Sequence, residues 1–128
     1  MNIKIAVADD DKNTREMLKN IVLKVNTDLH VFTAENGEEM CEIIKTHSPD
    51  IIITDLIMPV CDGIKVIRFA REHCMYTPVI IAVSELKDEK YKDSCFEAGA
   101  DYYAQKPVDT KEFENLMRFI VSSKNVYA

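Results

Sequence analysis

The chain has 128 residues, 47% hydrophobic and 30% charged, which suits one globular domain able to bury roughly two-thirds of its unfolded surface. A net charge of −6 with no basic cluster argues against direct nucleic-acid binding and against attraction to a membrane surface. No apolar run approaches the ~20 residues of a membrane span, and the N-terminus lacks the basic, apolar and small-residue progression of a signal peptide.

In chain order, short apolar runs alternate with segments of helical period. Residues 3–8 predict a first strand, which ends on Asp9-Asp10-Asp11. Residues 13–25 place Met17, Leu18, Ile21, Val22 and Val25 on one helical face. A second strand is expected over 29–34, and Asn36-Gly37 opens a helix with Met40, Ile43 and Ile44 inward. Residues 51–54 are apolar at successive positions, the pattern of a central parallel strand buried on both faces, and Asp55 follows. Met58-Pro59 breaks the chain, and Asp62 is set to cap a third helix carrying Ile64, Val66, Ile67 and Ala70.

Pro78 leads a fourth strand, Val79 to Val83, which ends on Ser84. A charged helix is expected over roughly 86–97, with Gly99 at its C-terminal turn. A fifth strand over 101–105 ends on Lys106-Pro107, a bond that can be cis at such a turn. Asp109 or Thr110 caps a last helix bearing Phe113, Leu116, Met117, Ile120 and Val121. The βαβαβαβαβα alternation with short linkers predicts an α/β domain over 1–124, a doubly wound parallel sheet with helices on both faces, and a frayed tail at 125–128.

In such a sheet the functional crevice lies at the C-terminal strand ends. Those ends deliver Asp9 and Asp10, Asp55, Ser84 and Lys106. Three carboxylates together repel one another unless a cation joins them. An all-oxygen set suits Mg²⁺, and no His or Cys in these loops favours zinc. Asp11, one residue before a helix, reads instead as a cap or a solvated acid. Asp55 ends the most central strand and is the candidate nucleophile for a phosphoryl group, with Lys106 supplying positive charge and Ser84 one hydrogen bond. Cys41, Cys61, Cys74 and Cys95 are widely and irregularly spaced, so they read as free, half-buried thiols suited to the cytoplasm.

These residues resemble the response-regulator receiver domain of two-component signalling, from Ile3 to about Val121. The likeness rests on Val7-Ala8-Asp9-Asp10, Asp55-Leu56-Ile57-Met58-Pro59 with Asp62-Gly63, Ser84, Ala98-Gly99-Ala100-Asp101-Tyr102-Tyr103 and Lys106-Pro107. It implies a flavodoxin-like (βα)5 fold of strand order 2-1-3-4-5. It also implies that Asp55 accepts a phosphoryl group from a sensor histidine kinase or a phosphotransfer protein. Asp10, Asp55 and the Ile57 backbone carbonyl would hold Mg²⁺, or Mn²⁺ in its place, with Asp9 acting through water. Lys106 would pair with the phosphoryl group, Ser84 would move toward it, and Tyr103 would swing in behind Ser84. The output surface would be helix four, strand five and helix five, facing a downstream protein target and open to phosphorylation-dependent homodimerisation.

Two departures from the family pattern stand out. Glu85 occupies a position that is usually small, where a carboxylate either hinders donor access or points to solvent. The stretch from Pro78 to Ser84 is one residue longer than usual. Counting back from Lys106 and Gly99 selects Ser84, against a register that would put Val83 there. The chain ends just after the last helix, so the expectation is a single-domain switch rather than an enzyme. An aspartyl phosphatase would want a second acid at residue 57, which is Ile. A flavin carrier would want a hydroxyl- and glycine-rich first loop, which here is Asp-Asp-Asp-Lys. The remaining alternative is an interaction module that works without phosphorylation.

Overall fold

The computed structural model describes residues 3–126. Its elements are β1 (Lys4–Ala8), α1 (Lys12–Val25), β2 (His30–Ala34), α2 (Gly37–His47), β3 (Ile51–Asp55), α3 (Gly63–His73), β4 (Val79–Ser84), α4 (Glu89–Ala98), β5 (Tyr102–Gln105) and α5 (Thr110–Val126). All five strands pair in parallel in the order β2-β1-β3-β4-β5, the expected flavodoxin-like arrangement. α5 continues through Val126, and the last two residues of the tail expected at 125–128 lie outside the described residues.

Side chains alternate across each strand, so the sheet divides the interior into two layers. Ile5, Val7, Ile51, Ile53, Ile81 and Val83 pack under α1 and α5, against Leu18, Val22, Phe113 and Met117. Ala6, Ala8, Ile52, Ile80 and Ala82 face α2, α3 and α4, against Met40, Ile44, Ile67 and Cys95. β3 is buried at every position, as its unbroken apolar run requires.

Acid and amide side chains start the helices as the sequence predicts. Asp11 accepts hydrogen bonds from the Thr14 N–H and hydroxyl, Asn36 from the Glu39 N–H, and Asp62 from the Lys65 N–H. The choice before α5 falls on Asp109, which accepts from the N–H groups of Lys111 and Glu112. Gly99 ends α4 at φ 124°, a left-handed turn that suits glycine.

α4 departs from its predicted start at residue 86 and begins at Glu89. The Leu86 N–H donates to Ser84 Oγ, and the Leu86 carbonyl accepts from the Tyr103 hydroxyl. Both backbone groups are thereby committed outside a helix, and Asp88, two residues on, caps α4 through Lys90 N–H. At the opposite end of the sheet, the Arg71 guanidinium donates to the carbonyls of Pro78 and Gly99 and to the Asp101 carboxylate. Asp101 also accepts from the Ile80 N–H, so one cluster ties α3 to the starts of β4 and β5.

The β3–α3 loop, residues 56–62, is held by two glycines. A Cβ on Gly63 would fall 2.0 Å from the Asp55 carbonyl oxygen, and one on Gly37 would fall 2.0 Å from the Cys61 carbonyl oxygen. Both obstacles are backbone, which cannot turn aside as a flexible side chain can. Gly63→Ala is therefore expected to destabilise the fold by about 2 kcal/mol, the usual scale of overpacking. Urea unfolding followed by circular dichroism checks this: the midpoint should fall with an unchanged slope.

Candidate functional site

The chain runs from β1 outward to β2, then back across to β3 on the other flank of β1. This reversal opens a crevice at the C-terminal ends of β1 and β3. Asp9 and Asp10 follow β1 directly, and Asp55 is the last residue of β3. One carboxylate oxygen from each of Asp9, Asp10 and Asp55 lies within 4.8 Å of the others. Asp9 is completely buried, Asp55 is 5% exposed, and Asp10 faces solvent.

Lys106 enters from the end of β5. Its Nζ lies 2.8 Å from Asp9 Oδ2 and 3.1 Å from Asp55 Oδ2, with the side chain 12% exposed. Lys106–Pro107 is a cis peptide. Burial alone would lower the Lys106 pKa, but the two carboxylates outweigh it and hold the amine above the ordinary lysine value. Asp55 shifts upward as well, chiefly because burial disfavours its charged form. Lys106 opposes that rise, the nearby Asp9 charge adds to it, and the Ile57 N–H contributes a hydrogen bond of 3.3 Å to Asp55 Oδ1.

The acids are only partly satisfied by the protein. Asp9 Oδ1 accepts from the Asp11 N–H at 2.9 Å. Asp9 Oδ2 is buried with no hydrogen-bond donor aligned on it; its Lys106 contact is an ion pair outside hydrogen-bond alignment. A buried carboxylate oxygen with spare lone pairs, beside two more carboxylates, fits a hard divalent cation with an all-oxygen shell. Among the described residues this is the one grouping of three or more acid, His or Cys side chains with that proximity.

The other residues singled out in the sequence sit around this centre. Val83 pairs with Asp55 across the sheet but packs into the layer under α1 and α5. Ser84, one residue on, is fully buried, accepts the Leu86 N–H at 3.1 Å and takes the Lys106 N–H on its carbonyl at 2.8 Å. Tyr103 reaches the same loop through its hydroxyl on the Leu86 carbonyl, and Lys92 Nζ lies 5.4 Å from its ring centre. Glu85 is exposed and lines an open recess of about 550 Å³ with Thr14, Met17, Lys106 and Pro107. Ile57 is 58% exposed at the rim.

The sequence reading missed Arg15. Its buried guanidinium donates to the Asp9 carbonyl at 2.9 Å and lies 3.6 Å from Glu35. It therefore fixes the backbone turn that carries Asp9 and Asp10. The available signal was a cation four residues after the Asp11 cap, on the helix face next to the acids.

A family model described as the response regulator receiver domain matches residues 5–118. The alkaline phosphatase synthesis transcriptional regulatory protein PhoP of Bacillus subtilis (strain 168) is 32% identical over 129 residues, covering 100% of this chain and 52% of its own length. The transcriptional regulatory protein SrrA of Staphylococcus aureus (strain NCTC 8325 / PS 47) is 33% identical over 112 residues, covering 88% and 45%. The chain thus spans about half the length of the curated relatives it matches. The receiver domain of the Francisella response regulator 1452 superposes with a TM-score of 0.79 at 28% identity, over 94% of this chain and 99% of that one. The chemotaxis response regulator CheY4 of Vibrio cholerae has a TM-score of 0.82 at 22% identity, with coverage of 94% and 99%, a likeness of fold.

The Asp55 environment makes a stability prediction. A carboxylate whose folded pKa is raised costs stability where it is ionised and costs none below the ordinary aspartate value of 3.8, where it is protonated in both states. In Mg²⁺-free buffer Asp55→Asn should therefore raise the melting temperature at pH 7. That gain should shrink as the pH falls toward 3.8. Calorimetry of both proteins across this range checks the sign.

Proposed function

The chain belongs to the response regulator receiver domain family, and on that premise we propose that Asp55 is the phosphoacceptor of a two-component relay, taking its phosphoryl group from a histidine kinase or phosphotransfer protein. One observation carries this reading. The Lys106 amine sits between the buried Asp9 and Asp55, and the exposed Asp10 completes the acid trio at their rim, so that a nucleophile, a positive charge and an incomplete oxygen shell meet in one crevice.

Asp10, Asp55 and the Ile57 carbonyl would hold Mg²⁺ or Mn²⁺ directly, with Asp9 acting through water. When bound, such a cation would supply charge neutralisation for the phosphoryl oxygens. The chain's own contribution is positioning and charge complementarity, the main demands of phosphoryl transfer. A carboxylate oxygen of Asp55 attacks phosphorus, an O–P bond forms, and the P–N bond to the donor imidazole breaks with its electron pair leaving on nitrogen. Lys106 exchanges one carboxylate partner for a phosphoryl oxygen in a charge-assisted bond. Ser84 gives up the Leu86 N–H and turns its hydroxyl to another phosphoryl oxygen.

This local event biases the loop after β4. Leu86 is held by Ser84 at its N–H and by Tyr103 at its carbonyl, so movement of Ser84 disturbs both. The α4, β5 and α5 surface is the readout toward a downstream protein, including a second phosphorylated copy. Glu85 stands at the recess beside Lys106 and modulates donor access. We assign no turnover of an external substrate; the chain promotes its own phosphorylation and loses the phosphate slowly to water in the cytoplasm. No helix among the described residues is long and apolar enough to cross a membrane. The alternative, interaction without phosphorylation, is not favoured, because such a module has no use for buried acids at one point.

Two measurements test the proposal. Incubation with Mg²⁺ and acetyl phosphate should add one phosphate to the intact mass, and the adduct should vanish without Mg²⁺ or in Asp55→Asn. An adduct of equal extent in that variant would place the acceptor elsewhere. Saturating Mg²⁺ should stabilise the fold by about 2.7 kcal/mol at a hundredfold excess over its Kd. A melting temperature indifferent to millimolar Mg²⁺ would count against the cation site.

A further inference from the structure

The β3–α3 loop meets α2 through two cysteines that the phosphoryl chemistry does not use. Gly37 opens α2 directly against the loop: a Cβ built there would lie 2.7 Å from Cys61 Cβ. Cys41 is one turn further along the same helix face. Helical side chains lean toward the N-terminus, so the Cys41 thiol extends back over Gly37 and onto Cys61. Both cysteines pack against the same core layer, Cys61 is the side chain that acts most on the Cys41 thiol, and Cys61 Sγ donates to the Asp62 carbonyl at 3.8 Å. Both cysteines are half-buried and free of disulfide bonds.

We infer that Cys41 and Cys61 form a dithiol site that a peroxide-class oxidant closes into a disulfide, fastening the loop that follows Asp55 onto α2. Cys61 loses its proton and its sulfur attacks a peroxide oxygen. The O–O bond breaks, the departing hydroxide takes up the proton to leave as water, and Cys61 becomes a sulfenic acid. Cys41 then attacks the Cys61 sulfur; the S–S bond forms, the S–O bond breaks, and a second water departs with the Cys41 proton. Two thiols are oxidised by two electrons and one peroxide is reduced. Burial, with Cys61 alongside, pushes the Cys41 thiol up to about 11, which makes it the slower nucleophile and so the resolving partner. The remaining thiols do not compete: Cys95 is completely buried, and Cys74 follows the C-terminal end of α3, at the far edge of the sheet from the loop.

The loop that would be fastened carries Ile57 and joins Asp55 to α3. Cross-linking it to α2 fixes the backbone at the acidic centre; this consequence, unlike the disulfide itself, rests on the cation site proposed above. The full chain is treated with hydrogen peroxide, remaining thiols are alkylated, and the digest is read by mass spectrometry. The expected result is a linked Cys41–Cys61 peptide, two hydrogens lighter, that dithiothreitol reverses. It should be absent from Cys41→Ser and unchanged in Cys74→Ser. A stable sulfinic acid on Cys61 with Cys41 still alkylated, or a link to Cys74 instead, would overturn the inference. The melting shift caused by Mg²⁺ is then compared before and after oxidation. A changed shift supports the coupling, and an identical one removes it. A reduced chain with no shift at all would count against the cation site while leaving the disulfide result intact.

Discussion

One ammonium group governs the upper edge of this sheet. Asp9 and Asp55 are buried carboxylates on adjacent strands, and their repulsion at low local dielectric would be severe without Lys106 between them. The amine satisfies this demand only in part, since one oxygen of Asp9 keeps its lone pairs free of any aligned donor. The centre is thus stable enough to fold and still short of positive charge. That shortfall is what makes the cluster chemically suited to a divalent cation.

The surroundings hold this imbalance in place. Arg15 grips the Asp9 carbonyl from below, the Asp11 cap starts α1 just beyond the acids, and the two glycine contacts press the β3–α3 loop against its neighbours. Within that loop Val60 is held at φ 72°, a left-handed conformation that a β-branched residue adopts only under constraint. It is 74% exposed, so the strain is not offset by burial of its side chain. Rigid support on both sides of Asp55 fits a site whose chemistry depends on fixed positions more than on motion.

Much of this was legible before any coordinates. The unbroken apolar run 51–54 marked a central strand, and Asp11, Asn36, Asp62 and the pair Asp109 or Thr110 marked helix starts because capping is a local interaction. The acids, the serine and the lysine could be assigned to one crevice because parallel topology brings every C-terminal strand end to one edge. Contacts between distant segments were not legible. α4 was expected to begin at roughly residue 86, where the charged segment after Ser84 starts. A hydroxyl from β5, seventeen positions on, claims the Leu86 carbonyl instead. Arg15 was passed over because its partner, the Asp9 carbonyl, is brought to it by the fold, and Cys41 and Cys61 read as widely spaced free thiols, since only the docking of α2 on the loop joins them.

The Arg71 cluster lies at the end of the sheet away from the acids, where it locks the starts of β4 and β5. Lys4 and Asp50 exchange backbone and side-chain hydrogen bonds at that same lower edge, joining β1 to the turn before β3. Cohesion and chemistry therefore occupy opposite rims of one sheet. The connections at 26–29 and 74–78 belong to the rim without chemistry. A fluorophore or an affinity tag attached there stands a full strand length from the acidic crevice and leaves that crevice open.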